Sequence, residues 1–141
     1  MRAFPARRAA AGLFVACALL ASAQSAAAAP SCGADEARPT AQLYFGLAVK
    51  DAADITEAQF IDFLDREVTP RFPQGLTVLD AQGRWRSANG QIVREASKLV
   101  VIVLPGEPGD RAALDAVRKA YELRFHQDAV LQVISPGCVD F

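Results

Sequence analysis

The stretch Leu99-Val100-Val101-Ile102-Val103-Leu104 decides the fold. Six consecutive apolar residues without alternation are typical of a strand that lies inside a sheet and is covered on both faces. The segment from Pro105 to Gly109 ends the strand, because proline lacks the backbone N–H that a sheet requires. The elements before and after this strand must therefore supply its neighbours and its cover.

The clearest local signal before this strand is a capping box, in which Gln59 follows Thr56 by three residues. Ile55 is placed to pack on Phe60 as a hydrophobic staple. The helix that begins here is predicted to span Glu57 to Thr69, where prolines stop it. Its apolar residues recur at spacings of three and four and form one core-facing stripe. They are Phe60, Phe63, Leu64 and Val68.

Four further elements complete the pattern. They are a strand at about Ala41 to Val49, a strand at Leu76 to Leu79, a helix at about Arg111 to Phe125 capped by Asp110, and a strand at Val130 to Ile134. Turn residues at Asp80 to Gly83 and at Asn89-Gly90 predict a long, bent hairpin around Trp85. The order predicts an α+β fold: a ferredoxin-like βαββαβ sandwich, in which an antiparallel four-stranded sheet carries two helices on one face.

The other face of this sheet also needs a cover, since Leu99 to Leu104 is apolar on both sides. A second subunit is the favoured cover, and face-to-face pairing would give a homodimeric α/β barrel with a cavity between the subunits. The hairpin around Trp85 and the N-terminal arm are the alternatives.

The N-terminus is predicted to be a secretory signal, residues 1–28, because a basic stretch, an apolar stretch from Ala9 to Ala21 and small residues follow in order. Cleavage after Ala23 or after Ala28 fits the small residues there. The apolar stretch is too short for a stable membrane anchor. Lipidation at Cys17 is the less favoured alternative. An extended arm, residues 29–40, and one domain, residues 41–141, would remain in the periplasm or outside the cell.

The predicted export also indicates which cysteines form a disulfide. Without Cys17, the exported chain keeps Cys32 and Cys138, an even pair in an oxidising compartment, so one disulfide is expected. The predicted topology places these residues just outside neighbouring ends of the first and last strands. Loss of three signal arginines lowers the basic count from 15 to 12 against 16 acidic residues, a net charge of −4. Neither a nucleic-acid surface nor a polybasic membrane patch is expected.

The sequence contains few of the residues and motifs that commonly form catalytic sites. His126 is the one histidine, and its place at the end of the second helix favours a structural role. The sequence contains no nucleophile elbow, phosphate loop, dinucleotide fingerprint or metal-ligand spacing. We therefore expect no cofactor and no metal.

Charged residues around the single tryptophan are the candidate ligand-binding residues. This group comprises Arg71, Arg84, Trp85, Arg86, Arg94, Glu95 and Lys98. Arginines bind carboxylates and tryptophan offers a flat apolar wall, so a small anionic or aromatic ligand would suit them. A solvated hairpin is the competing interpretation. Tyr44, which alternates away from Leu43, is expected to line the other face of the sheet with Gln42.

Several short motifs resemble one protein family. They are Leu43-Tyr44-Phe45-Gly46, the run from Glu67 to Val78, Gly83-Arg84-Trp85-Arg86 and Glu95-Ala96-Ser97-Lys98. The chain resembles the domain of unknown function 3574 family, uncharacterised secreted bacterial proteins. The resemblance implies an envelope or secreted protein and no established activity. The favoured function is a non-catalytic module that binds a small ligand or a protein. The alternative is a cofactor-independent enzyme of dimeric-barrel type acting on a small carboxylated or aromatic substrate.

Overall fold

A computed structural model describes residues 32–33, 37–87 and 89–140. The predicted signal, with Cys17 and both cleavage positions, lies outside the described residues. The strands are β1 (Ala37–Gly46), β2 (Thr77–Arg86), β3 (Ile92–Val103) and β4 (Leu131–Cys138), and the helices are α1 (Glu57–Phe63) and α2 (Asp110–Phe125). None of the helices in this part of the chain is long and apolar enough to cross a membrane.

The four strands form one antiparallel sheet in the order β2-β3-β1-β4. The apolar stretch Leu99–Leu104 therefore lies in an interior strand up to Val103, as its composition predicts. With two helices in the order strand, helix, strand, strand, helix, strand, this is the predicted α+β, ferredoxin-like fold.

Alternation along β1 decides which face the helices cover. Leu43 and Phe45 are fully buried, and both lie on the covered face. The ring of Phe45 packs edge-on against Phe60, Phe63 and Tyr121, with centroids 5.6, 5.7 and 4.7 Å away. This aromatic cluster joins β1 to both helices, and such edge-to-face contacts add to the apolar area that the helices bury.

The capping box at the start of α1 is confirmed. The Thr56 hydroxyl accepts from the Gln59 N–H at 3.3 Å, and Gln59 Oε1 accepts from the Thr56 N–H at 2.9 Å. The helix then continues as a π-helical segment, Leu64–Val68, so the predicted end near Thr69 holds while the hydrogen-bond pattern changes. Asp110 is the first residue of α2 rather than its cap. Its carboxylate instead accepts from the N–H groups of Gly106 and Glu107 in the preceding turn.

The predicted turn at Asp80 to Gly83 is wrong. Strand β2 runs without interruption through these residues, each of which pairs with β3, and the chain turns only after Arg86. Two long strands pairing along ten positions outweigh the local turn preference of Asp and Gly. Gly90 has a φ of +84°, which glycine adopts without strain, and it lies in the turn that does form. Strands β2 and β3 are therefore much longer than predicted.

The disulfide between Cys32 and Cys138 is present, with the two Cα atoms 5.3 Å apart. Strand β1 pairs with β4 from Ala37, opposite Cys138, to Tyr44, opposite Leu131. The beginning of β1 and the end of β4 therefore lie side by side, as the predicted topology requires. This bond closes a loop that contains most of the described chain.

The second sheet face, which we call the open face, has no cover among the described residues. It consists of the alternate residues of each strand, including Leu79, Trp85, Leu131 and Val133, whose side chains are 40–61% exposed. Tyr44 lies on this face, opposite Leu99 and Leu131. The predicted apolar surface opposite the helices is thus real.

Candidate functional site

A groove of about 1180 Å³ lies at the end of the sheet where β1 ends and the β2–β3 hairpin extends outward. Five of the predicted site residues line it: Tyr44, Arg84, Trp85, Arg94 and Glu95. The opposite wall comes from residues 126–132, which comprise the connection between α2 and β4 and the first two residues of β4. The groove is thus lined by four stretches of the chain and by Arg118 of α2.

Trp85 forms an apolar wall of the groove. Its side chain is 45% exposed, which is unusual for a residue that can bury so much apolar area. A Cβ placed on Gly83 would lie 3.5 Å from the indole, so the ring leans along the strand over this glycine. An exposed aromatic ring held against a strand is a ready stacking surface for a flat ligand.

Tyr44 lies on the open face where the groove begins. Its hydroxyl donates a hydrogen bond of 2.8 Å to Gln42 Oε1, the neighbour that alternation placed on the same face. Gln42 thus orients the phenol along β1. The hydroxyl oxygen remains able to accept a hydrogen bond from a ligand in the groove.

Glu95 holds the loop that follows β1. Its Oε1 accepts from the backbone N–H of Ala48 at 3.1 Å, and Gln127 Nε2 donates to the carbonyl of the same residue at 2.7 Å. A Cβ on Gly46 would collide with the Glu95 carboxylate. Glycine at this position therefore lets the carboxylate approach the backbone.

The Glu95 carboxylate also acts on a buried neighbour. Tyr121 donates its hydroxyl to the carbonyl of Gly46 at 2.8 Å, on the covered side of the same strand end. Burial, with the negative charge of Glu95 as a second cause, raises the pKa of Tyr121 above its usual value. Tyr121 is therefore a neutral hydrogen-bond donor at every physiological pH.

Two arginines face each other across the hairpin. Arg84 in β2 pairs directly with Arg94 in β3, on the side of the hairpin opposite Trp85, and both line the groove. Neither guanidinium has a hydrogen-bond or ion-pair partner within the described part of the chain. Like charges directly opposite each other in a sheet are destabilising, so an anion bound near the two guanidinium groups would reduce their repulsion.

Three predicted site residues lie away from the groove. Arg71, in the turn after the first helix, bonds to the Glu67 carboxylate at 2.9 Å. Arg86 donates to the carbonyl of Gly90 in the hairpin turn at 3.1 Å. With Lys98, described next, the charged group predicted around the tryptophan is divided among four places.

Lys98 is the third of these residues, and it lies on the covered face, opposite Phe45. It is only 6% exposed. Its ammonium group pairs with Asp80 in β2 and Glu57 at the start of α1. Hydrogen bonds to these two carboxylates raise the pKa of Lys98. The lysine thus ties the first helix to the sheet and does not reach the open face.

His126 ends α2 in a left-handed conformation, with φ 54°. Glycine or asparagine usually takes this position. The residue lines the groove, next to Gln127. Among residues 32–33, 37–87 and 89–140, no cluster of three or more His, Cys, Asp or Glu side chains could hold a metal.

Sequence patterns missed Arg94 as a partner of Arg84, and they missed Gln127 and the 126–132 wall. The pairing of the arginines depends on the register of the hairpin, which no local signal specifies. The wall depends on where the α2–β4 connection passes in space. A correct prediction of the lengths of β2 and β3 would have revealed the pairing of the arginines.

Comparison with known families decides the affiliation of the chain. The family model described as "Protein of unknown function (DUF3574)" matches residues 40–141. The chain belongs to this family. The match covers all four strands but the first residues of β1, and it confirms the resemblance that the short motifs suggested. No curated protein is detectably similar in sequence.

Solved structures share the fold. A phage SAM lyase in complex with S-methyl-5'-thioadenosine superposes with a TM-score of 0.55 and 22% identity, over 75% of this chain and 84% of the lyase. A phage SAM lyase in the apo state gives a TM-score of 0.56 and 22% identity, over 77% of this chain and 87% of the lyase. CutA from Synechococcus elongatus PCC7942 gives 0.49 and 12%, over 73% and 79%. At these identities the likeness concerns the fold alone.

Proposed function

We propose that this chain is an exported binding protein for a small aromatic anion, which stacks on Trp85 and pairs with Arg94. The observations that carry the proposal are an exposed indole and two opposed arginines, which project from the other side of the same hairpin, line the groove and have no protein partner among the described residues. Guanidinium groups bind carboxylates or phosphates through two parallel hydrogen bonds. An anion at this place would also relieve the repulsion between Arg84 and Arg94.

The charge of the groove supports an anionic ligand. Its lining includes four cationic residues and two anionic ones, although the whole chain carries a net charge of −1. The cations are Lys50, Arg84, Arg94 and Arg118, and the anions are Glu95 and Asp128. A cleft lined mainly by one sign of charge concentrates ligands of the opposite sign.

Binding has more support than catalysis. Of the two acids in the groove, Glu95 already uses one oxygen on the Ala48 N–H. No described residue bonds to the imidazole of His126, and an isolated imidazole lacks the orienting partner that acid–base catalysis usually needs. The alternative, a cofactor-independent enzyme with its reaction in the groove, keeps the same ligand class and would act on what binds there.

Export is part of the proposal. The disulfide between Cys32 and Cys138 supports it, because disulfides persist in oxidising compartments and are rare in the cytosol. The signal-like order of residues 1–28 supports it independently. The protein would then bind its ligand in the periplasm or in the extracellular medium.

The phage SAM lyase of the same fold provides a second ligand class to test. Its bound S-methyl-5'-thioadenosine is aromatic and carries no anionic group. A ligand of this kind could stack on Trp85 and would gain little from Arg94. Titration with this compound therefore tests stacking on Trp85 without the contribution of an anionic group.

Tryptophan fluorescence gives a direct test, since Trp85 is the only tryptophan of the chain. The purified protein would be titrated with indole-free probes: benzoate, phenylacetate, their uncharged amides and S-methyl-5'-thioadenosine. We expect quenching by a carboxylate, and binding at least tenfold tighter than that of its amide. Equal binding of acid and amide, or no binding by any probe, would overturn the proposal.

Arg94→Gln and Arg71→Gln form a matched pair of variants for this titration. A charge-assisted hydrogen bond contributes about 1.5–3 kcal/mol, so loss of Arg94 should weaken carboxylate binding by roughly tenfold or more. Arg71 lies outside the groove and bonds to Glu67, so its loss should leave binding unchanged. Equal effects of the two variants would contradict the assigned site.

A further inference from the structure

The free edge of β2 is the feature that points to a partner. Strand β2 is an end strand of the sheet, and no described element pairs with its other side. It is ten residues long and contains no proline. An exposed strand edge of this length presents a row of unpaired backbone groups on which another strand can form.

The other edge of the sheet is protected. Strand β4 has eight residues, and among them Pro136 lacks a backbone N–H. The disulfide at Cys138 also fixes its end to the arm before β1. Proline at an edge strand is a common device against pairing. The two edges therefore differ, and β2 is the one open to a partner.

We propose that β2 pairs antiparallel with β2 of a second copy of this chain, around a twofold axis at Gln82. In this register, residues whose numbers add to 164 lie opposite each other. Charged residues on an edge strand normally prevent pairing, but here opposite signs meet. Asp80 lies opposite Arg84 of the partner subunit, and the symmetric contact repeats on the other side of the axis.

The apolar residues of the open face match in the same register. Leu79, 45% exposed, lies opposite Trp85 of the partner subunit, which is equally exposed. Around the axis only Ala81 and Gly83 face each other on this side of the sheet, so no bulky side chain separates the strands. Aromatic and aliphatic cross-strand pairs stabilise sheets. One register thus satisfies the charges and buries the apolar side chains together.

This pairing also bears on the groove. Asp80 of the partner subunit would neutralise Arg84, which leaves Arg94 as the cation available to a ligand. Leu79 of the partner subunit would close the groove beside Trp85. The inference stands on the strand edge itself and does not depend on what the groove binds.

Cysteine cross-linking tests the register directly. Gln82 lies opposite itself across the axis, where facing Cα atoms are about 4.5–5.5 Å apart, within the range of a disulfide. Gln82→Cys should therefore form a covalent dimer on mild oxidation. Ala81→Cys is the control, because its Cα would lie roughly 8 Å from its symmetry mate, given strand rises of about 3.4 Å and spacings of about 4.8 Å. Equal cross-linking of both variants would overturn the register.

Light scattering of the purified protein tests the assembly. We expect the mass of two chains, and Arg84→Glu should weaken the dimer at least tenfold, because glutamate would then face Asp80 of the partner subunit. Arg94→Glu makes the same charge change one strand further from the edge and should leave the dimer intact. A monomer or a trimer in the unmodified protein would overturn the proposal, as would equal weakening by the two variants. Circular dichroism confirms that each variant is folded, and carboxylate titration reports the groove separately.

Discussion

The two faces of the sheet carry similar side chains in different surroundings. On the covered face, Leu43 and Phe45 are fully buried against both helices. On the open face, Leu131 is 61% exposed and Trp85 is 45% exposed. Strand alternation places apolar residues on both faces, but the described residues cover only one of them. The covered face therefore stabilises the fold, and the apolar residues of the open face stay exposed in this part of the chain.

The largest effect expected from this comparison is at Phe45. Phe45→Ala should lower the free energy of unfolding by about 3–5 kcal/mol, because it leaves a cavity among Phe60, Phe63 and Tyr121. Leu131→Ala, on the open face, should change it by about 0.5 kcal/mol or less. Urea unfolding measures both at matched protein concentration, and Phe45→Leu provides a milder variant of the core position. Equal losses at Phe45 and Leu131 would mean that the open face is covered within a single chain.

A smaller effect is expected at Gly46, a glycine at which an added Cβ would collide with a neighbour. A Cβ there collides with the Glu95 carboxylate, so Gly46→Ala should displace Glu95 from the Ala48 N–H. Loss of this charge-assisted hydrogen bond should outweigh the gain from a less flexible unfolded chain, with a net cost of about 1 kcal/mol.

The control for Gly46 uses a double-mutant cycle. In the Glu95→Ala background the collision is gone, so Gly46→Ala should be neutral or slightly stabilising there. Chemical unfolding of the four proteins gives the coupling energy. A cost that stays the same in both backgrounds would show that the glycine serves the backbone rather than the carboxylate.

The sequence predicted those parts of the molecule that depend on local order. Alternation at Leu43 and Phe45 and the capping box at Thr56 follow from neighbours in the chain, and the pairing of Cys32 with Cys138 follows from the predicted export. The groove does not. Tyr44 and Glu95 meet there only because β3 is long enough to bring Glu95 beside Gly46, and local turn residues at Asp80 to Gly83 concealed that length.

Lys98 shows that charged residues that cluster in the sequence can lie on different faces of the sheet. The notable lysine in the family-like motif was predicted with Trp85, but its place opposite Phe45 directs it to the covered face. Its neighbours in sequence, Ser97 and Leu99, lie on the open face. A strand separates adjacent residues by a full sheet thickness, so a cluster in sequence is divided in space.

The smallest effect is expected when this one charge is removed from the covered face. Lys98→Met should change the free energy of unfolding at neutral pH by about 1 kcal/mol or less. Methionine keeps the apolar stem near Phe60, and the carboxylates of Glu57 and Asp80 are 63% and 88% exposed, so water can solvate them without the lysine.

The pH dependence distinguishes the lysine from its replacement. Since the pKa of Lys98 is raised in the folded protein, its charge contributes stability fully below the ordinary value of 10.5, and that contribution is lost as the pH rises through the raised value. The parent protein should therefore lose stability above pH 10.5 more steeply than Lys98→Met, measured by urea unfolding across the alkaline range. Parallel curves would show that the ammonium group gains nothing from Asp80 and Glu57. The covered face would then be held by its apolar contacts alone, which would widen its difference from the open face.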